Sequence, residues 1–244
     1  PEELQVVRLE KALTELGMRS VQAMGVTSKY EKGRSVSRSF VLSPSAERKG
    51  VMAGASKPVD FSFLKWVPAD VASLQASSLD VESIYDALIA AVKAYDPEQA
   101  EAILGMLKQQ EERVGLSLKN DLFGVFGDQM VLWSMGVSNF MSAPEGAMLL
   151  KVKDQDALLK TLNKVAQMSN GMVEFPASER RGVKTWRMEV NDEAIPPQIG
   201  VSLSMLQPSF AFKNGYMVMA LAGGDVRKAL NRMDREDDPK DDIR

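Results

Sequence analysis

The side chains that could do chemistry in this sequence are carboxylates placed before helices and a knot of arginine and lysine around one tryptophan. Histidine and cysteine are absent from all 244 residues. That removes the commonest general base, metal ligand and covalent nucleophile, and every disulfide. Zinc, haem and iron–sulfur sites are set aside with them, as are Ser-His-Asp and Cys-His triads. No Gly-x-Ser-x-Gly elbow occurs, and no Ser-x-x-Lys lies where its context would make the serine a nucleophile. Asp80, Asp96, Asp154 and Asp225 each stand where a helix needs an N-cap, so capping explains them before catalysis does. A carboxylate pair for hydrolysis stays open. The densest acidic run, Asp234 to Asp242, lacks the alternating spacing of a calcium loop and contains Pro239, so it reads as a solvated tail. Gly223-Gly224-Asp225 follows a strand and opens a helix, a place that suits phosphate. It lacks the lysine of a phosphate-binding loop, and Asp225 would repel the anion. The reading assigns no catalytic residue, no metal ligand and no cofactor.

One surface candidate remains. Arg180, Arg181, Lys184 and Arg187 surround Trp186, and Arg34 and Arg38 lie near Tyr30 in an earlier hairpin. Cations beside an aromatic ring suit an anionic glycan, a lipid headgroup or an acidic partner. The same charges would equally guard strand edges against aggregation. The 15 methionines fall mostly in apolar segments, where they fill core gaps or line a groove.

Composition bounds the rest. Apolar residues make up 45%, enough for a real core, and charged residues 26%, a normal globular surface. A net charge of -3 argues against nucleic acid as partner. No segment reaches the roughly 20 apolar residues that span a bilayer. The chain starts at Pro1 and ends in charge, which reads as a piece or mature form of a longer protein.

The elements that must position these residues follow from periodicity. A helix over 2–16 carries Val6, Leu9, Leu13 and Leu16 on one face and ends at Gly17. A hairpin joins 18–28 to 35–42, and 51–55 reads as a short strand. The segment 61–67 fits strand or short helix. A strand over 71–78 leads to a helix capped by Asp80, and Asp96-Pro97-Glu98 starts another with Ala102, Ile103, Met106, Leu107 and Val114 inward. A helical turn is expected over 121–127, then strands over 130–134 and 147–152. Asp154 caps a helix to about Met168 with Leu158, Leu159, Leu162 and Val165 inward. Hairpins follow over 173–190 and 210–218, the second turning at Asn214-Gly215 as a type I′ turn. Asp225 caps a last helix to about Met233.

Aligned on Asp80 and Asp154, Leu74 to Leu88 and Met148 to Leu162 share a strand, a capping Asp and an apolar pair. This suggests an internal strand–helix–hairpin repeat within antiparallel α+β architecture. The expected division is a partial first unit over 1–68, a complete second unit and start of the next over 69–233, and a charged tail over 234–244.

Five segments in order, Gly33 to Val41, Leu64 to Val71, Gly115 to Phe123, Val152 to Asp154 and Pro208 to Phe212, resemble a bacterial domain family of unknown function common in planctomycetes. The resemblance implies repeated α+β units and an exported, envelope-associated protein. It brings no catalytic residues with it. The expectation is a non-catalytic binding or scaffolding module, with an unidentified protein or envelope component as partner. A carboxylate hydrolase fragment and a carrier with an apolar cavity are the alternatives.

Overall fold

The computed structural model describes residues 2–31, 34–54, 57–78, 80–135, 145–180, 182–191, 208–221 and 223–234. It is α+β, as expected, with helices beside antiparallel sheets. The chain forms two compact units, each discontinuous in sequence. Unit 1 is Pro1–Lys57 with Asp80–Arg113, and unit 2 is Pro58–Leu79 with Val114–Arg244. These limits do not follow the expected division at 68/69. The tail from 235 lies outside the described residues.

In unit 1, helix α1 (Glu2–Glu15) ends as expected at Gly17, with φ +82. The extended segment expected from residue 18 starts instead as a 3₁₀ turn, Met18–Ser20. Strands β1 (Ala23–Glu31) and β2 (Arg34–Leu42) then form an antiparallel sheet of their own. The strand expected over 51–55 is a short helix, α2 (Gly50–Gly54). The cause is backbone crowding. Gly50 has φ +51, the Val51 N–H donates to the Leu16 carbonyl at 3.2 Å, and a Cβ on Gly17 or Gly50 would strike the Lys49 or Glu15 carbonyl oxygen. Only glycine at both positions lets the chain turn back over the end of α1.

Helix α3 (Val81–Tyr95) is capped as expected, Asp80 Oδ1 accepting from the Ser83 N–H at 3.1 Å. Helix α4 (Pro97–Val114) has Asp96 accepting from the Gln99 N–H at 3.2 Å. The Arg8 guanidinium reaches Asp96, just past the end of α3, at 3.2 Å, while the end of α1 is tied through α2 to the start of α3 by the Val51 N–H donating to Leu16 and the Asp80 N–H donating to Gly54, so α1 and α3 run antiparallel. They pack through Ala12, Ala87 and Ala91, whose small side chains let the backbones approach.

Unit 2 is built on a seven-stranded antiparallel sheet. Its strands are β3 (Ser73–Ser78), β4 (Phe126–Ser134), β5 (Gly146–Val152), β7 (Ala177–Arg180), β8 (Val183–Arg187), β10 (Ser209–Lys213) and β11 (Tyr216–Ala220), in the order β3-β4-β5-β11-β10-β8-β7. A separate pair, β6 (Val173–Glu174) and β9 (Glu189–Val190), completes the expected second hairpin region. Asn214 and Gly215 have φ +51 and +77, the two positive angles of the expected I′ turn.

Alternation along the strands gives the sheet two apolar faces. One carries Val131, Trp133, Leu149, Ala211 and Val218. It is covered by helix α6 (Gly223–Met233), through Val226, Ala229 and Leu230, and by the 3₁₀ helix Phe61–Trp66, through Phe63 and Trp66. The other face carries Leu150, Trp186, Phe210 and Met217 under Leu158, Leu159 and Leu162 of helix α5 (Gln155–Met168). Asp154 caps α5, accepting from the Ala157 N–H at 2.9 Å. Asp225 does not cap α6, which starts two residues earlier; its carboxylate accepts from the Lys228 ammonium at 3.0 Å. The expected turn near 121–127 is a π-helical turn over Leu118–Phe123, and β4 starts at Phe126.

The proposed repeat aligns two capped helices that pack differently. α3 lies along α1 within unit 1, and α5 lies on the unit 2 sheet.

Candidate interaction surfaces

The basic–aromatic cluster is not an open aromatic platform. Trp186 sits on the α5 side of the sheet, buried, stacked on Phe210 at 5.6 Å and meeting Phe212 edge-on. Lys184 shares that side of β8, with its exposed ammonium 5.3 Å from the Trp186 ring centroid. Arg187 is on the opposite side and pairs with Glu189. Arg181 and the side chain of Arg180 lie outside the described residues. Alternation is the physical reason: residue types adjacent in sequence diverge to two faces of a strand. The same rule parts Tyr30 from Arg38 in the first hairpin, since Thr27 is the residue opposite Arg38.

Carboxylates converge at one place in unit 2. The Lys228 ammonium binds Asp225 at 3.0 Å and Glu145 at 3.1 Å, beside a cleft of about 260 Å³ lined also by Trp133, Met135 and Arg232. Donating a hydrogen bond to Asp225, and then to Glu145, raises the lysine pKa above its ordinary value. Both acids are thus held by a cation. A feature not singled out in the sequence is Ser62-Phe63-Leu64-Lys65, which does have Ser-x-x-Lys spacing. The structure does not join the pair. The Ser62 hydroxyl donates to Asp60 at 2.9 Å, and the Lys65 ammonium lies over Trp66. Among the described residues, no group of three or more acidic side chains is placed to hold a metal ion.

A methionine-lined groove is present. Leu132, Met148 and Met219 lie side by side across β4, β5 and β11, in register on the α5 face. With Leu221 and Pro208 they line a cavity of about 420 Å³. Next to Met219 on β10, Phe210 is already buried.

Unit 1 leaves apolar side chains in solvent both on its hairpin, at Met24, Val26, Tyr30 and Phe40, and on its helices. Its buried apolar residues, among those described, are Ala12, Ala87, Ala91 and Ala100 alone. Every large side chain that is fully buried belongs to unit 2. On α1, Val6 is 58% exposed and Leu9 51%, with Leu13 also open. On α3, Leu88 is 50% exposed, and Val92 and Tyr95 follow at one-turn spacing. Each stripe sits about 100° round its helix from the alanine seam. Because the helices are antiparallel, both stripes fall on the same side of the pair. The result is one apolar face made by two helices. Periodicity marks Val6, Leu9 and Leu13 as one face of α1, but only the structure shows that no described residue of unit 1 covers them.

No helix among the described residues is long and apolar enough to cross a membrane. Set against protein-family models, curated proteins and solved structures, the chain matches none of them.

Proposed function

We propose that this chain is a non-catalytic binding or scaffolding module of a larger, exported bacterial protein, and that the α1/α3 face is where a protein partner docks. The observation that carries this reading is the uncovered face itself. Val6, Leu9, Leu13, Leu88, Val92 and Tyr95 stand in solvent on one side of a helix pair whose own interior holds alanine. A contiguous exposed apolar patch marks an interaction surface, and an amphipathic helix pair offers a partner helix a ready groove. Export is supported by the sequence resemblance.

The test is site-specific photo-crosslinking in producing cells. A photoreactive residue at Leu88 is expected to give adducts of discrete size, and one at the exposed Lys160 of α5 none. Equal labelling at both sites, or none at Leu88, overturns the reading.

The groove over Met148 and Met219 favours a second reading, a carrier of apolar ligands. Leu132, Met148 and Met219 form its floor. A fluorescent fatty acid is expected to bind the native chain saturably, and Met148→Glu, which puts a charge on that floor, to abolish the binding. Equal binding by both removes the carrier reading.

A further inference from the structure

We infer that the β1–β2 hairpin is a docking ribbon, and that its occupant is an extended, acidic peptide segment that adds as a third strand along the outer edge of β2. The inference is independent of the α1/α3 reading, since it uses another surface. Each strand of the ribbon has 9 residues, and the two form a sheet of their own. Among the described residues, no helix or other strand packs along it. Every side chain that the structure describes on it is exposed, with Tyr30 at 76%, Met24 at 74% and Val26 at 71%. A lone hairpin is marginal in water, and a third strand is what such a ribbon lacks. Its two outer edges present rows of backbone N–H and C=O groups with no described strand beside them.

The side chains along β2 select the occupant. Its register puts Leu42, Phe40 and Arg38 on one face, opposite Ala23, Gly25 and Thr27 of β1. Phe40 lies across Gly25, where a Cβ would strike its ring, and is still 60% exposed. Leu42 is exposed next to it. Arg38 is exposed and has no hydrogen-bond or ion-pair partner among the described residues. An added strand therefore meets two apolar groups and one cation at two-residue spacing. It fits when its own residues alternate to match, with an acid beside Arg38 and apolar side chains beside Phe40 and Leu42. The charge of the whole ribbon points the same way. Lys29, Lys32, Arg34 and Arg38 stand against Glu31 alone, in a chain whose net charge is -3. A second copy would bring the same bases and supply Arg38 with no excess of acid. A lipid surface fits poorly, because hydrocarbon would leave both rows of edge groups unsatisfied. A peptide backbone supplies what those edges lack.

Fluorescence anisotropy of a labelled nonapeptide, titrated with the whole chain, tests this. The probe has glutamate at its centre, valine two and four residues to either side and threonine between, so it reads alike in both directions. Weak, saturable binding is expected. Arg38→Glu should weaken it about tenfold or more, and a lysine-centred probe should restore binding to that variant. Lys160→Glu, the same charge change on exposed α5, should leave binding unaltered. Methylating peptide nitrogens then separates strand addition from contact through side chains alone. Alternate amides of an added strand point toward and away from its neighbour, so methylating one alternate set should abolish binding and methylating the other should spare it. Circular dichroism melting checks that Arg38→Glu stays folded; the position is on the surface, so an unchanged midpoint is expected. A native chain that does not bind the glutamate probe overturns the proposal. So does binding indifferent to Arg38→Glu, or lost equally from both methylated sets. A chain that ignores the probe but sediments with phosphatidylglycerol vesicles overturns it in favour of a membrane.

Discussion

Tyr216 shows how much one buried hydroxyl can govern. Its O–H donates to Gln129 Oε1 at 2.6 Å, and the Gln129 amide donates to the Asp60 carbonyl, tying the centre of the sheet to the 3₁₀ helix below it. Burial, and then the nearby Asp60 and Asp128 carboxylates, raise the phenol pKa above its ordinary 10.0. Tyr216→Phe leaves the buried Gln129 oxygen without its donor, and should lower stability by about 1–2 kcal/mol in urea titration. The pH dependence has a definite sign. A phenol with a raised native pKa contributes its full stability below pH 10 and loses it as pH climbs from there, because the unfolded chain ionises first. Native protein should therefore weaken on the alkaline side, and the variant should lack that part of the slope. An identical alkaline profile for both would show that Tyr216 is not the group responsible. At this same scale the sequence misleads about Trp186. Its neighbours in the chain are basic, but its neighbours in space are Phe210 and Phe212. Phe210 is 24 positions further along, and no local pattern announces that pairing.

Elements were legible wherever their cause is local. Asp80, Asp96 and Asp154 cap helices because a short acceptor beside free N–H groups is all a cap needs. Asn214-Gly215 turns as expected because the two residues themselves tolerate positive φ. Elements were not legible where the cause is distant. Helix α2 depends on the end of α1, more than 30 residues earlier, pressing on Gly50. Asp225 misses its cap because α6 begins at Gly223, and Lys228 then takes the carboxylate. The apolar stripe of α4 was read as an inward face, and that of α1 as one apolar side. Periodicity shows that a helix has an apolar side, but it cannot show what that side meets. The matching caps of α3 and α5 suggested a repeat for the same reason: a cap is a local device that unrelated helices share.

The two units differ in what holds them together. Unit 2 buries Phe63, Leu149, Leu158, Leu230 and Val218 around its sheet, whereas the described apolar residues that unit 1 buries are alanines, and its larger apolar groups are half-buried or exposed. Burial of a large apolar side chain is worth about 1.5–3 kcal/mol, and alanine contributes far less. Hydrogen exchange at low micromolar concentration should follow this difference. Amides of β4, β5 and β11 are expected to be the slowest. Those of α1, α3 and α4 should exchange at least about tenfold faster, through local opening that leaves the sheet intact. Equal protection in both units would contradict the contrast in their cores.

The order of the strands also sets a timetable. A ribosome delivers β3, then the whole of residues 80–113, before β4 can pair with β3. Strand β11, the last of the seven strands in chain order, occupies the centre of the sheet between β5 and β10. Until it emerges, β5 has no neighbour on that side, and its exposed edge is a template for wrong pairing. The nascent chain must therefore wait, with its most hazardous edge open, until the last of the seven strands has emerged.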